Sequence, residues 1–585
     1  LPESDAVEGG EMRKVWWIAV VVLGACGGSS AAPEDTGDGS GDTRTELWGD
    51  PDTNLQETTF PDAEVPDSAD GEVEFGETIT PADLADLSQE EVTDPCHGGE
   101  PFCVDTELRI CVGGEDTVVL DCLPHGWHCL SGGCVAQEEE TEPESMWRQR
   151  LVRLSLENAA ESQVLDSYGG WVNAPESLGT PVAHAYFTVQ KLDGRWWFVT
   201  PEGHVFLSKG VTDVNFLGAN LAHDEHHALL VDKYGTEDVW AEASRQDLLR
   251  WSFNTVGPWS SASMAQRMSH ATIILDSAGH APRHPGFTVT DYWSEGFADH
   301  AAKVAQERAA PFAEDARLLG FFLDNELAWE ANWHTAKSLL QNYMDFPPDA
   351  PGRARAVAFL KEMSDSVASF NTLWGTSIGE WSEVDTLTSS SLVPATVESL
   401  AATRAFAVEA FRQYASVAIP ALKAVAPNHL VLGCRFYNAH WDELLIESGK
   451  WFDVVSLAYY ESVPPVEDID RVFPLADKPF LLEEFSFKAN DSGYWNIMNY
   501  APVVETQKER ALGYHDYVQT WMSRPYAVAF HWYKWMDNPT KPDNILAGDN
   551  FGLRTPADEP YLPLVTLAAE VNRRVEFWHA GEAAD

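Results

Sequence analysis

Two acidic clusters stand out because each closes an apolar run. The first reads Phe321-Phe322-Leu323-Asp324-Asn325-Glu326, and the second Pro479-Phe480-Leu481-Leu482-Glu483-Glu484-Phe485. A carboxylate beside buried apolar chain is costly to desolvate unless it is paired or used. Two carboxyls that flank one acetal bond can cleave it. One stays protonated and gives its proton to the leaving oxygen, while the other attacks the anomeric carbon from the opposite face. They lie about 5–5.5 Å apart where configuration is retained. This chemistry picks out Glu326 and Glu484 as the catalytic pair. Asn325, directly before Glu326, is suited to hold a sugar 2-hydroxyl. Asp and Asn also favour helix caps, so a polar turn would explain the first cluster alone. The second carboxylate, three runs later, favours chemistry. Glu483 adjoins Glu484, and neighbouring residues of a strand point to opposite faces, so only one should enter the site.

Such a pair needs elements that bring its two ends together. Eight apolar runs recur after residue 190: Val205–Val211, Phe253–Pro258, Ala271–Ser277, Leu319–Glu326, Leu430–Tyr437, Phe452–Tyr460, Pro479–Phe485 and Val528–Trp535. Near-continuous hydrophobics mark strands buried on both faces. Amphipathic stretches lie between them, including Asp299–Phe312, Ala401–Val425 and Thr506–Met522. Alternation of this kind predicts a parallel sheet, and eight strands predict a closed (β/α)8 TIM barrel. A doubly wound open sheet is the alternative. No Gly-x-Gly-x-x-Gly or phosphate loop follows a run, which counts against nucleotide chemistry. The fourth and fifth runs are about 100 residues apart, too far for one helix, so extra helices should sit there. In a barrel the ends of strands four and seven face each other across the mouth, where catalytic groups gather.

Aromatic residues fit a sugar cleft. Of 23 Trp, 19 follow residue 145, and flat rings stack on the C–H faces of sugars. Trp259, Trp293, Trp329, Trp333, Trp532 and Trp535 fall near predicted strand ends. Trp329 and Trp532 are taken as substrate-binding candidates, with Asn254 of the second run. Trp196 and Trp197 suit a strand pair closing the barrel bottom.

The segments before the barrel read differently. Met12-Arg13-Lys14, the apolar run Val15–Leu23 and Leu23-Gly24-Ala25-Cys26 have the order of a secretory signal over residues 1–25. The run is too short to span a bilayer comfortably. Leu-Gly-Ala-Cys is similar to a bacterial lipobox, which implies a lipid anchor on Cys26. Gly27 after it implies an outer-membrane or cell-surface lipoprotein. Residues 26–95 form an acidic tether: 20 Asp/Glu, Arg44 and no Lys lie between Cys26 and Cys96. Such a segment cannot bury enough apolar surface to order itself. The net charge of −54 repels nucleic acid and other polyanions, so a neutral substrate fits better. Cys96, Cys103, Cys111, Cys122, Cys129 and Cys134 predict a small disulfide module over 96–134, of open connectivity. Zinc is the competing reading because His97, His125 and His128 lie among them, but no Cys-x2-Cys pair is present. Residues 135–150 read as a linker and 151–585 as the catalytic domain.

The chain resembles clan A glycoside hydrolases, and within them the family 50 β-agarases and relatives. The resemblance rests on Gly194-Arg195-Trp196-Trp197-Phe198-Val199-Thr200-Pro201-Glu202-Gly203-His204, Leu319–Trp329, Asn428–Phe436, Phe530-His531-Trp532-Tyr533 and Asn550-Phe551-Gly552-Leu553. It covers about residues 190–570. It implies that Glu326 is the acid/base and Glu484 the nucleophile, aligned with the family's Gly-Glu-Phe. Glu483 stands where that motif has Gly. It also implies Tyr459 or Tyr460 beside the nucleophile, and Arg435 and His531 in the sugar site.

The expected function is thus retaining hydrolysis of β-glycosidic bonds in a neutral polysaccharide, agarose-like β-galactan first, without metal or cofactor. The partners would be that polysaccharide and a membrane through the lipid on Cys26. A non-catalytic surface glycan-binding lipoprotein is the rival. His223-Asp224-Glu225-His226-His227 reads as a solvated loop rather than a metal cluster, and Cys434 as a buried strand cysteine.

Overall fold

The computed structural model describes residues 100–582, apart from 113–114, 126, 137–139, 218–222, 269–271, 497–499 and 539–547. The expected signal, Cys26, the acidic tether and Cys96 lie outside the described residues. All described residues belong to the second of two compact units, Glu90–Asp585.

The apolar runs fold as short parallel strands: Ser208–Val211, Thr255–Val256, Thr272–Ile274, Gly320–Phe322, Leu430–Val431, Phe436–Tyr437, Val455–Ala458, Phe480–Phe485 and Ala527–Trp532. The fold is mixed α/β. The strands hydrogen-bond in two parallel groups. One runs in the order Thr255–Val256, Ser208–Val211, Ala527–Trp532, Phe480–Phe485, Val455–Ala458, Phe436–Tyr437. The other runs Thr272–Ile274, Gly320–Phe322, Leu430–Val431. The fifth run belongs to both groups, since its two halves pair with different neighbours. Between the halves Gly433 takes φ +96°, and a Cβ there would lie 2.6 Å from Ser456 Oγ, so only glycine fits this break.

One apolar cluster draws on seven of the eight runs. Phe206, Ile274, Leu319, Phe322, Leu430, Leu432, Val454, Leu481 and Val528 pack together with Phe187 and Phe198. A larger cluster lies between strands and helices, joining for example Phe253 and Phe485 to Tyr414, Tyr514 and Val571. The antiparallel strands Thr188–Leu192, Arg195–Val199 and Val205–Phe206 cover the end where strand Ala527–Trp532 begins. There the Trp196 N–H donates to the Pro525 carbonyl at 2.7 Å.

Helices follow the strands: Glu237–Arg250, Ala262–Arg267, Glu295–Val304, Asp442–Ser448, Val466–Ala476, Gln507–Met522 and Leu562–His579. Their starts are written locally. Ser294 Oγ accepts from the Phe297 N–H and Thr506 Oγ1 from the Glu509 N–H, satisfying donors that a helix end leaves free. Between the fourth and fifth runs stand Leu339–Asp345, Pro351–Glu362 and Val367–Trp374 before the long helix Val397–Val425.

The cysteine-rich segment forms two small antiparallel sheets. Cys103–Cys129 and Cys122–Cys134 are disulfides, and Cys111 is disulfide-bonded as well, so these thiols are not free to hold zinc. Two sequence expectations are corrected. The stretch 135–150 is not a plain linker, because helix Glu142–Ala160 starts within it. The Glu144 carboxylate accepts from the Thr141 N–H at 3.2 Å, so an acidic residue of this stretch caps a helix and favours its positive end. Trp147 of this helix packs on Trp127 of the module and donates to the Pro563 carbonyl at 3.0 Å. His223–His227 is also not a loop but opens helix His223–Tyr234, with His226 buried and the His227 ring against Phe216. No helix of the described residues is long and apolar enough to cross a membrane.

Candidate active site

The fourth run supplies Asp324, Asn325 and Glu326, and the three side chains part company. Asp324 turns into the strand–helix core. Its Oδ1 accepts from the Ala278 and Gly279 N–H groups at 2.8 and 2.7 Å, and its Oδ2 from the Tyr414 hydroxyl at 2.8 Å. Asn325 Oδ1 accepts from Arg435 Nε at 2.7 Å. Glu326 has φ +48°, a left-handed conformation a non-glycine residue adopts only when its surroundings hold it. The restraint is its own N–H, which donates to the Arg435 carbonyl at 2.9 Å.

Arg435 is the hub. It is fully buried, with its guanidinium 4.6 Å from the Trp259 ring centre and 5.2 Å from that of Phe322. Nη2 donates to Glu484 Oε1. The same nitrogen lies 2.5 Å from Glu483 Oε2, an ion-pair contact without hydrogen-bond alignment, since both Glu483 oxygens lack a hydrogen-bond partner. The expectation that strand alternation admits only one of these two carboxyls is therefore corrected. Leu457 pairs with Leu482 and Ala458 with Glu484, so Glu483 is an extra residue in the ladder. A bulge of this kind re-aims side chains, and both carboxyls reach Arg435.

Glu484 Oε2 also accepts from the Tyr460 hydroxyl at 2.5 Å. Tyr460 meets Tyr500 and Tyr533 edge-on at 5.2 and 6.1 Å, and Tyr500 stacks on Phe551 at 5.1 Å. Burial pushes the Glu484 carboxyl up, opposed by Arg435, Tyr460 and Lys534. Glu326 has less support: Trp333 Nε1 donates to its Oε2 at 2.9 Å. Burial, then the Glu484 charge, push Glu326 up to about 7. Burial likewise raises Asp213, beside Lys534, to about 7.

Several expected substrate contacts lie elsewhere. Asn254 binds the first run, its Oδ1 accepting from the Lys209 N–H at 2.8 Å and its Nδ2 donating to the Leu207 carbonyl at 2.9 Å. It borders a separate cavity of about 600 Å³ lined also by Thr117, Asn158 and Arg573, none of which joins the carboxyl cluster. Trp329 is buried among Tyr292, Phe411 and Tyr414. Trp532 is buried against Phe485 and Tyr514 and donates to the Phe551 carbonyl at 2.9 Å. His531 is buried with Nε2 2.9 Å from Ser208 Oγ. Burial, then Arg435, drive it down to about 3, so it is neutral and presents no surface to a sugar. Arg435 is equally enclosed and acts on Glu484 rather than on solvent. Of the two tyrosines, Tyr460 meets Glu484 by its side chain, and Tyr459 only by its N–H, which donates to the Glu484 carbonyl at 2.9 Å. Cys434 is free and buried. Tyr500 had no signal in the sequence, because no spacing tells which face of a loop borders the site; Tyr533 stood in the eighth run and in a quoted segment but was not singled out.

Asp166, Glu202 and His204 bring ligand atoms within 4.8 Å of one another. The Asp166 oxygens are already engaged by Tyr168 and Gly170 N–H, the Thr200 hydroxyl and His204, so the group is self-satisfied without an ion.

The fold is shared with solved agarases. An exo-β-agarase structure superposes with a TM-score of 0.62 at 21% identity, covering 76% of this chain and 72% of that one. Another agarase structure gives 0.61 at 22% identity, covering 78% and 73%. Among curated proteins, β-agarase B of Vibrio sp. (strain JT0107) is 25% identical over 75% of this chain and 52% of its own length. β-Agarase A of the same strain is 25% identical over 68% and 46%. The chain thus spans about half the length of the curated relatives it matches. No protein-family model matches the chain.

Proposed function

We propose that this chain is a retaining β-glycoside hydrolase of the clan A, family 50 kind, its eight parallel strands closing a (β/α)8 barrel and its substrate a neutral polysaccharide. One observation carries the reading. Two buried carboxyls at the ends of the fourth and seventh runs have opposed surroundings: Glu484 sits on a guanidinium and a phenol, while Glu326 has an indole. The negative charge therefore rests on Glu484, and that charge helps Glu326 keep its proton. This is the division of labour double displacement needs. Glu484 attacks the anomeric carbon while Glu326 protonates the leaving oxygen. Water, deprotonated by Glu326, then releases the sugar from Glu484. No cofactor enters the scheme. The apolar cluster fed by seven runs supports barrel closure, since a barrel interior is a packed core.

Similarity to agarases makes agarose-type β-galactan the first substrate to try. A mechanism-based fluorosugar should leave its mass on Glu484. Proton NMR of the first product should show retained anomeric configuration, and inversion would overturn the mechanism. Glu326→Gln and Glu484→Gln should each remove activity on the polysaccharide, and near-wild-type turnover in either would refute the assignment. We also propose export to the outer membrane with lipid on Cys26. Radiolabelled fatty acid should be incorporated by the intact chain and not by Cys26→Ala.

A further inference from the structure

Trp333 is a large aromatic residue held in the open. The residue is 63% exposed, yet its indole N–H is committed to Glu326 Oε2 at 2.9 Å. The turn that presents it is built tightly. Asn332 and Thr335 exchange backbone hydrogen bonds at 2.9 and 3.2 Å, Asn332 Oδ1 accepts from the His334 N–H at 2.9 Å, and Asn332 Nδ2 donates to the Glu326 carbonyl at 3.3 Å. The turn is thus fastened through Asn332 to the residue whose side chain Trp333 grips. Of the six tryptophans near strand ends, Trp329, Trp532 and Trp535 are buried and Trp259 and Trp293 half-buried, so Trp333 alone among them offers an open face beside the carboxyl pair.

The hydrogen bond distinguishes the two oxygens of Glu326. Oε2 receives the indole N–H, which leaves Oε1 to carry and deliver the proton. When Glu326 gives its proton away, the neutral bond to Oε2 becomes a charge-assisted one, which is shorter and about twice as strong. An interaction that strengthens along the reaction lowers its barrier, unlike one that binds substrate and transition state equally. The exposed face of an indole bonded to the proton donor is placed to meet the sugar that takes the proton, because such faces stack on sugar C–H groups. We propose that Trp333 is a positioning residue for Glu326, fixing which carboxyl oxygen donates the proton, and the stacking platform for the sugar on the leaving-group side. The proposal rests on the reading of Glu326 as the acid.

The other groups facing Glu326 are Glu484 and Glu483 from the seventh run, Arg435 and Tyr437 from the fifth, Tyr500 from the loop beyond the seventh, and His334 on its own turn. None of them hydrogen-bonds the indole; the His334 ring lies 3.4 Å from it, and burial, then Arg283, hold that ring down to about 4, so in the range where Glu326 ionises it is Glu326 that Trp333 reports.

Fluorine NMR of the fluorotryptophan-labelled protein tests the tie without any sugar, the Trp333 resonance being assigned by its loss in Trp333→Phe. It should shift with pH in the range where Glu326 ionises and stay still in Glu326→Gln. A resonance that ignores pH in that range in the wild type, or still titrates there in Glu326→Gln, overturns the proposal. Kinetics test its consequence. Trp333→Phe keeps a ring and loses the N–H. It should lower kcat on the polysaccharide about tenfold, the difference between hydrogen bonds to charged and to neutral groups, with KM nearly unchanged. The deficit should shrink on an aryl glycoside whose acidic phenol leaves without protonation. The basic limb of the pH profile should move up, because a donor that stabilised the carboxylate is gone. Trp333→Ala should raise KM as well. Equal losses on both substrates with an unmoved limb would mean a merely structural tryptophan and refute the proposal. A wild-type protein that cleaves no glycoside would sink the hydrolase reading and this proposal's kinetic half, while the titration still decides the hydrogen-bond coupling.

Discussion

Three carboxyls and one guanidinium meet at the site, and their charges cannot all be compensated. Arg435 touches both Glu483 and Glu484, while Glu326 lies within reach of the Glu484 charge. Burial penalises ionisation throughout, so protons settle where support is weakest. Glu326 is pushed up to about 7, and as an acid it must be protonated in the free enzyme. Activity should therefore fall as pH rises through about 7 and fall again in acid as Glu484 is protonated, giving a bell-shaped kcat/KM profile. A profile still rising well above neutrality would contradict Glu326 as the acid. Glu483 is pushed well above the usual carboxylate range by burial, against Arg435, and its oxygens make no hydrogen bond. Glu483→Gln should keep kcat within about tenfold, since an amide of the same shape fills the same space and Glu484 still faces Arg435, whereas Glu484→Gln removes the proposed attacking oxygen. If Glu483→Gln is the silent one and Glu484→Gln stays active, the nucleophile has been misassigned.

At the scale of elements, the site depends on how strands stop. Glu326 and Arg435 both have positive φ, +48° and +52°, and the Glu326 N–H to Arg435 carbonyl bond locks the two ends together. The break in the fifth run supplies the room. The Gly433 carbonyl strengthens this junction by accepting from the Leu323 N–H at 2.8 Å. Gly433→Ala adds a methyl 2.6 Å from Ser456 Oγ in a conformation that disfavours it. It should cost ~1–3 kcal/mol in urea unfolding and lower kcat by displacing Arg435, whose N–H donates to the same Ser456 Oγ at 2.9 Å. Unaltered stability would mean that the junction relaxes freely. The bulge at Glu483 is the other such device. Alternation along a strand is a sound rule for ideal ladders, and it fails at Glu483 because the extra residue turns with its neighbour toward the same guanidinium.

Across the whole molecule, charge governs what can approach. A chain of net charge −54 repels polyanions over about 8–10 Å of Debye length at physiological salt. A sulfated galactan should therefore be a poorer substrate than a neutral one, and the gap should narrow as salt rises; a gap indifferent to salt would assign the discrimination to pocket shape instead. The cysteine-rich module adds a second long-range feature. Its Trp127, with His125, packs on Trp147 of helix Glu142–Ala160, whose indole in turn binds the start of helix Leu562–His579 through the Pro563 carbonyl. The module is thus joined to the last helix through aromatic packing rather than by chain connectivity alone.

The amino-acid order by itself determined the eight apolar runs, the helices between them, and the two glutamates at the ends of the fourth and seventh. These are consequences of local patterning: period, length and terminal residues are fixed within a few positions of one another. It also placed Asn325 beside Glu326, while Tyr459 or Tyr460 came from the family resemblance. Which tyrosine meets Glu484 by its side chain, and which tryptophans stay exposed, were decided by tertiary structure. Trp532 and Asn254 sit in the right runs, and Trp329 just past one, and they turn the wrong way, because the direction of a side chain at a strand end is set by bulges, positive-φ turns and hydrogen bonds from other strands. Arg435 and His531 were placed in the right neighbourhood but enclosed beneath it, since burial depends on what distant segments cover. Trp333 gained its place over Glu326 from a four-residue turn whose geometry no periodicity encodes.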